Sequence, residues 1–185
     1  MLDDLLNDSK RRMERSVEAT KAEFGTVRTG RASASLLDRV QVEYYGTRTP
    51  LNQLATISVP EPRMLVVTPF DKGSIRDVEK AIRESDLGVN PSNDGKIIRL
   101  PLPALTEERR RELVKVVRGL AEDGRVAVRN VRRDALHHTK ELEREGEAGA
   151  DDVRRAEDKV QKLTDEHVAQ IDAALKHKEE EILEV

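Results

Sequence analysis

The stretch from Leu105 to Glu145 constrains the fold more than any other part of the chain. Apolar or small residues recur at Leu113, Val117, Leu120, Gly124, Ala127, Val131, Ala135, His138 and Leu142, in steps of three and four. That spacing predicts one long helix with a single stripe to bury against other helices. Thr106 is the expected N-cap, followed by Glu107 and Glu108, whose charge suits the first turn. At about 1.5 Å per residue the helix is roughly 60 Å long, too long for a small globule and right for an elongated bundle.

A second stripe runs beside the first. At ~100° per residue, Arg118, Arg125 and Arg132 fall within about 40° of one another. Arg111, Arg129 and Arg133 flank them on one side and Arg110 on the other. The centre of this cationic row lies about 120° from that of the apolar stripe, so it is expected to face solvent. A stiff row of guanidiniums suits a structured polyanion, because each planar fork of donors matches a phosphate. A solvated face that keeps a bundle soluble is the other reading of the same pattern.

Composition narrows the choice. Charged residues make up 37% of the 185 residues and aromatics 2%, which favours long exposed helices over a thick core. The net charge is -3, so any nucleic-acid contact must be local and geometric. With Phe24, Tyr44, Tyr45 and Phe70 as the aromatic residues, stacking on unpaired bases is not the expected mode. The absence of cysteine excludes disulfides, zinc-thiolate sites and thiol catalysis. No apolar run approaches the ~20 residues of a membrane span, and the start of the chain has acids first and no apolar core. No membrane association is expected, and the chain reads as cytoplasmic.

The other two long periodic segments are residues 3–28, with Leu6, Ser9, Met13, Ser16, Thr20, Phe24 and Val27 in phase, and residues 151–183, with Val153, Ala156, Val160, Leu163, His167, Ile171, Ala174 and Ile182. The short connector 145–150 makes the last two helices antiparallel. Between the first helix and the long one the period changes. Residues 39–44 alternate as a half-buried strand, 45–50 form a turn and a return, and 54–59 and 64–68 are strand candidates separated by Pro60-Glu61-Pro62. Ser74 is expected to cap a helix to about Ser85, the segment 88–95 carries turn signals, and 96–100 is the last strand.

The expected class is therefore α+β: an elongated antiparallel three-helix bundle (1–30 and 104–185) with a small mixed β/α/β domain (31–103) inserted after its first helix. The two connectors, Thr29, Gly30 and Arg31 on one side and Pro101, Pro103 and Ala104 on the other, resemble a hinge or are ordinary turn residues. The lengths suggest an L-shaped molecule.

No catalytic constellation is recognisable. Gly46, Gly73, Gly88 and Gly95 are too scattered for a phosphate loop. His137 and His138 point about 100° apart on a helix, and His138 falls on the packed stripe, so no metal site is expected. His177 among lysines and glutamates reads as a surface residue. No enzyme activity and no cofactor are expected.

Several stretches resemble the bacterial ribosome recycling factor family, in order and over the whole length. They are residues 28–32 at the first connector, Tyr44-Tyr45-Gly46 and Thr49-Pro50-Leu51, residues 85–91, Asp94-Gly95, residues 105–110, residues 128–135 and residues 161–165. The resemblance implies a non-enzymatic, L-shaped, monomeric translation factor. With elongation factor G and GTP it would split the post-termination 70S ribosome, releasing mRNA and deacylated tRNA. Its bundle would lie on the 23S ribosomal RNA of the 50S subunit while the small domain swings about the hinge. The family's RNA-contacting arginines match Arg110, Arg129 and Arg132, and Arg118, Arg125 and Arg133 join them from helical geometry. The segment His137-His138-Thr139 and the glycines at 119 and 124 depart from some relatives without touching the arginines. The rivals are a non-ribosomal helical adaptor, which would bind protein surfaces and ignore ribosomal RNA, and an enzyme whose site in the small domain would need convergent polar groups that cannot be named.

Overall fold

A computed structural model describes residues 1–184. The elements are α1 (Leu2–Thr26), β1 (Gln41–Tyr44), β2 (Thr47–Pro50), β3 (Ala55–Glu61), β4 (Met64–Pro69), α2 (Ile75–Arg83), β5 (Ser92–Asn93), β6 (Ile98–Pro101), α3 (Glu107–Arg144) and α4 (Ala150–Leu183). They form two compact units, one of residues 1–28 and 107–184 and one of residues 29–106.

In the larger unit α1, α3 and α4 pack on one another. The core of α1 is Ser9, Met13, Val17, Thr20 and Phe24, so Ser16 is displaced from the predicted stripe by Val17. In α3 the buried residues are Leu113, Val117, Ala121, Gly124, Val128, Val131, Ala135 and Thr139. Ala121, Val128 and Thr139 thus take the places expected for Leu120, Ala127 and His138. The steps between buried residues are mostly four, so the buried face drifts around the helix from the one a strict alternation of three and four would keep. His138 is exposed, with Nδ1 at 2.8 Å from the Asp134 carbonyl. In α4 Thr164 is buried where Leu163 was expected. Its hydroxyl donates to the Val160 carbonyl at 2.9 Å, which satisfies the one polar group it brings inside.

Gly124 explains how closely these helices meet. A Cβ there would run into Thr20 Oγ1 on α1 and lie 3.2 Å from Ile171 Cδ1 on α4. Gly119, in the same helix, faces open space.

The smaller unit is built on two antiparallel sheets, β1-β2 and β3-β4-β6-β5. Tyr45 and Gly46 both have positive φ, 48° and 76°, as a two-residue hairpin between right-twisted strands requires. Pro60 and Glu61 were expected to interrupt the strands, yet they lie inside β3. This is possible because β3 is an edge strand and its register shifts between Ser58 and Glu61, so Pro60 sits where no ladder donor is needed. The core gathers Leu37, Val42, Leu51, Leu65, Val67, Val78, Ile82, Ile98 and Leu100. The turn signals of 88–95 hide a short strand, β5, paired with β6 at Ser92–Arg99 and Asn93–Ile98. Ser74 stands at the N-cap position of α2, as expected, but its side chain makes no capping hydrogen bond. A short 3-10 turn precedes α2, Asp71 accepts from the Gly73 amide at 2.9 Å, and the Ser74 hydroxyl donates back to the Asp71 carbonyl at 2.7 Å.

The turn after β5 carries a testable electrostatic feature. Asp94 Oδ1 accepts from the Ile97 and Lys96 amides, each at 2.9 Å. These donors hold the Asp94 carboxyl below the usual carboxylate range. A carboxyl depressed in the folded state contributes stability above its unfolded value of about 4, and that contribution is lost as pH falls through the folded value. The melting-temperature gap between the parent and Asp94→Ala is therefore expected to be full at neutral pH and to narrow below about pH 4. Melts at pH 7 and pH 3 check this, and a gap that widens in acid contradicts it.

Both connectors are tied to the same place within this unit. The Ala32 amide donates to the Pro62 carbonyl at 2.6 Å, and the Leu102 amide donates to the Arg63 carbonyl at 2.8 Å. The turn between β3 and β4 thus holds the entry and the exit of the insert side by side. Gly30, with φ 72°, lets the entering chain pass over Leu105, whose Cγ would stand 3.2 Å from a Cβ at that position.

Candidate nucleic-acid interface

The arginine row is set by α3, and α4 decides what each arginine does. Arg118, Arg125 and Arg132 are spaced by seven, so they return to nearly one face of α3. That face borders α4. Arg118 Nε donates to Glu179 Oε1 at 2.6 Å, and Arg125 Nε donates to Asp172 Oδ1 at 2.7 Å. Arg125 also donates from Nη1 to Glu122 Oε2 at 2.9 Å. Hydrogen bonding to Glu179 raises the Arg118 pKa, and bonding to Asp172 does the same for Arg125 against the opposing effect of burial.

The row was expected to face solvent throughout, and here the structure corrects the reading. The Arg118 side chain keeps 63% of its accessible surface, but Arg125 keeps 20%. Arg125 is held between two carboxylates, Asp172 of α4 and Glu122 of its own helix, whereas Arg118 meets Glu179. Arg129 is more open and makes one long contact from Nη1 to Glu122 Oε1 at 3.4 Å.

Arg132, Arg133 and Arg110 differ from these. Arg132 donates from Nη1 to Gln161 Oε1 at 3.1 Å and meets no carboxylate among the described residues. Its Nε is buried without a hydrogen-bond partner, as is the Nε of Arg110. Arg133 is exposed and has no ion pair among the described residues. On the other flank of the helix Asp134 is taken by Arg12 of α1 at 2.6 Å, which lowers its pKa and removes a nearby acid from the arginines. The six arginines therefore divide. Two are closed on acids of α4, Arg129 is loosely held by Glu122, and Arg110, Arg132 and Arg133 carry charge that no carboxylate within the described residues neutralises. Such a set can offer charge-assisted hydrogen bonds to phosphate oxygens at the intervals of a rigid helix.

From sequence the acids Asp172 and Glu179 carry no role, and Gln161 enters only as part of the stretch 161–165. The available signal was Asp165, Asp172 and Glu179 at intervals of seven on α4, matching the interval of the arginines. The connector residues Thr29, Gly30, Arg31, Pro101, Pro103 and Ala104 all belong to the smaller unit. Pro101 ends β6 opposite Met64.

The family model described as "Ribosome recycling factor" matches residues 20–183. The chain belongs to the ribosome recycling factor family. Among curated members, the ribosome-recycling factor of Rubrobacter xylanophilus is 58% identical over 180 residues, covering 97% of each chain. That of Bacillus pumilus is 58% identical over 185 residues, covering both chains completely. Two solved structures are similar over nearly the full length. A ribosome recycling factor determined in solution has a TM-score of 0.65 and 42% identity, covering 100% of this chain and 98% of the other. The ribosome recycling factor of T. thermophilus, built with E. coli elongation factor G on the E. coli post-termination complex, has a TM-score of 0.61 and 47% identity, covering 99% of each. Members of this family share the α+β composition found here, a helical bundle with a small antiparallel sheet unit. Among the described residues no helix is long and apolar enough to cross a membrane.

Proposed function

We propose that this chain acts as a monomeric translation factor in the cytoplasm. It binds the post-termination 70S ribosome through α3 and, with elongation factor G and GTP, splits it into subunits so that mRNA and deacylated tRNA leave. The observation that carries this reading is the division of the arginine row: Arg110, Arg132 and Arg133 keep charge that the bundle does not neutralise. The likeness to a recycling factor built with elongation factor G on a post-termination complex supports the choice of partners.

The physical steps follow from the residues. Guanidiniums on a stiff helix contact the phosphates of 23S ribosomal RNA in the 50S subunit and fix register without reading bases. Affinity falls as salt rises, because counterions return to the RNA. The connectors around Thr29, Gly30, Arg31, Pro101, Pro103 and Ala104 act as the hinge. They let the smaller unit be displaced while the bundle stays anchored, and the domain limits run close to residues 30 and 104. The sequence carries no glycine-rich phosphate loop, so GTP hydrolysis enters through the partner. The protein does mechanical work without bond chemistry of its own.

The test is light scattering of post-termination ribosomes mixed with this protein, elongation factor G and GTP. A fall in scattering that needs all three is the expected result. No fall, together with no binding to 50S subunits, overturns the reading in favour of a helical adaptor of protein surfaces.

A further inference from the structure

Arg118, Arg125 and Arg132 step by seven along α3, and Glu179, Asp172 and Asp165 step by seven, in the opposite direction, along α4. The first two rungs of this ladder close directly, Arg118 on Glu179 and Arg125 on Asp172. By the same interval Asp165 is the acid for Arg132, but that rung does not close. Gln161 stands in it. Its amide oxygen accepts from Arg132 Nη1 at 3.1 Å, and its amide nitrogen donates to Asp165 Oδ1 at 2.9 Å. The orientation of the amide follows from chemistry: a guanidinium can only donate and an ionised carboxylate can only accept, so the oxygen must face Arg132 and the nitrogen Asp165.

We infer that Gln161 is a positioning residue for RNA binding: it occupies the place of an ion pair, keeps Asp165 off Arg132, and so presents the Arg132 guanidinium un-neutralised to a phosphate. The inference rests on the reading of Arg132 proposed above. A neutral amide suits this task better than the alternatives. A carboxylate at 161 would neutralise the arginine and repel phosphate, and an apolar side chain would leave Arg132 free to swing to Asp165. The buried Nε of Arg132, without a partner, shows that the side chain is held against the bundle with only its tip left for a ligand.

The experiment uses the full chain and 50S subunits, with binding measured across a range of salt for four proteins: the parent, Gln161→Glu, Arg132→Ala, and the double variant. Gln161→Glu is expected to weaken binding by about tenfold at low salt and to reduce the slope of log affinity against log salt by about one. Its melting temperature is expected to stay at or slightly above that of the parent, since the new ion pair is exposed and of small worth. If Gln161 acts through Arg132, the double variant binds about as well as Arg132→Ala alone. Three results would overturn the inference. Unchanged binding of Gln161→Glu does so, as does a double variant whose loss is the full sum of the single losses, since that is simple charge repulsion. An Arg132→Ala chain that binds like the parent removes the proposed role of Arg132 and that of Gln161 with it. If Arg132→Ala binds more weakly while either of the first two results is found, only the role of Gln161 falls.

Discussion

A Gly124→Val chain is expected to lose about 3 kcal/mol of stability, seen as a fall of about 10 °C in melting temperature. Gly124 stands where all three helices meet. Even the first added carbon collides with Thr20 Oγ1, lies 3.0 Å from Thr20 Cγ2 and reaches 3.2 Å from Ile171 Cδ1. Thr20 cannot easily turn away, because its hydroxyl donates to the Ser16 carbonyl at 2.8 Å. The backbone cost of a glycine inside a helix, about 1 kcal/mol relative to alanine, is thus offset by the close approach it permits. Gly119 is the control. Nothing stands within 4 Å of a Cβ there, so Gly119→Ala is expected to raise stability by about 0.5–1 kcal/mol. Gly124→Ala should fall between these two variants and recover in part when combined with Thr20→Ala. Thermal melts of the series decide the matter: a Gly124→Val chain that melts with the parent means that the helices do not meet this closely.

Arg132→Ala is expected to weaken binding to 50S subunits by roughly 10- to 100-fold, the range for losing a charge-assisted hydrogen bond, and to slow splitting in step. The fold is expected to remain, since the one bond the side chain makes within the bundle is to exposed Gln161. Arg118→Ala and Arg125→Ala are expected to cost less binding, because each would have to exchange an existing carboxylate for a phosphate. Circular dichroism separates folding from binding in each case. Equal losses for all three arginines would mean that the pairing with α4 has no bearing on RNA.

The contrast between these arginines marks the limit of what sequence periodicity carries. Residues at intervals of three and four were enough to find the three long helices, because burial of one face is a property of one helix at a time. The same rule erred locally where a small residue, Ala121 or Thr139, was better placed than a larger or more polar neighbour, Leu120 or His138. Pro60 was misplaced because the ban on proline applies to central strands, and whether a strand lies at an edge depends on its neighbours. The arginine row was legible as a row. Which arginines are neutralised was not, because it depends on the register of α3 against α4, a relation between distant segments. Gln161 acquires a meaning only once that register is known.

The place of the insert also governs how the chain is made. Helix α1 leaves the synthesising machinery first, carrying Met13, Val17 and Phe24 on a face that α3 and α4 must cover. Those partners follow only after the whole of residues 29–106. At about 5–20 residues per second that is a wait of several seconds, far longer than a helix takes to form and fray. The insert can fold during this interval, since its sheets and helix find their partners within it. When it does, the Pro62–Arg63 turn gathers Ala32 and Leu102, so that the chain leaves the insert close to where it entered instead of at the far end of a loose loop. A pairing distant in sequence is thereby turned into a nearly local one before the last helix exists.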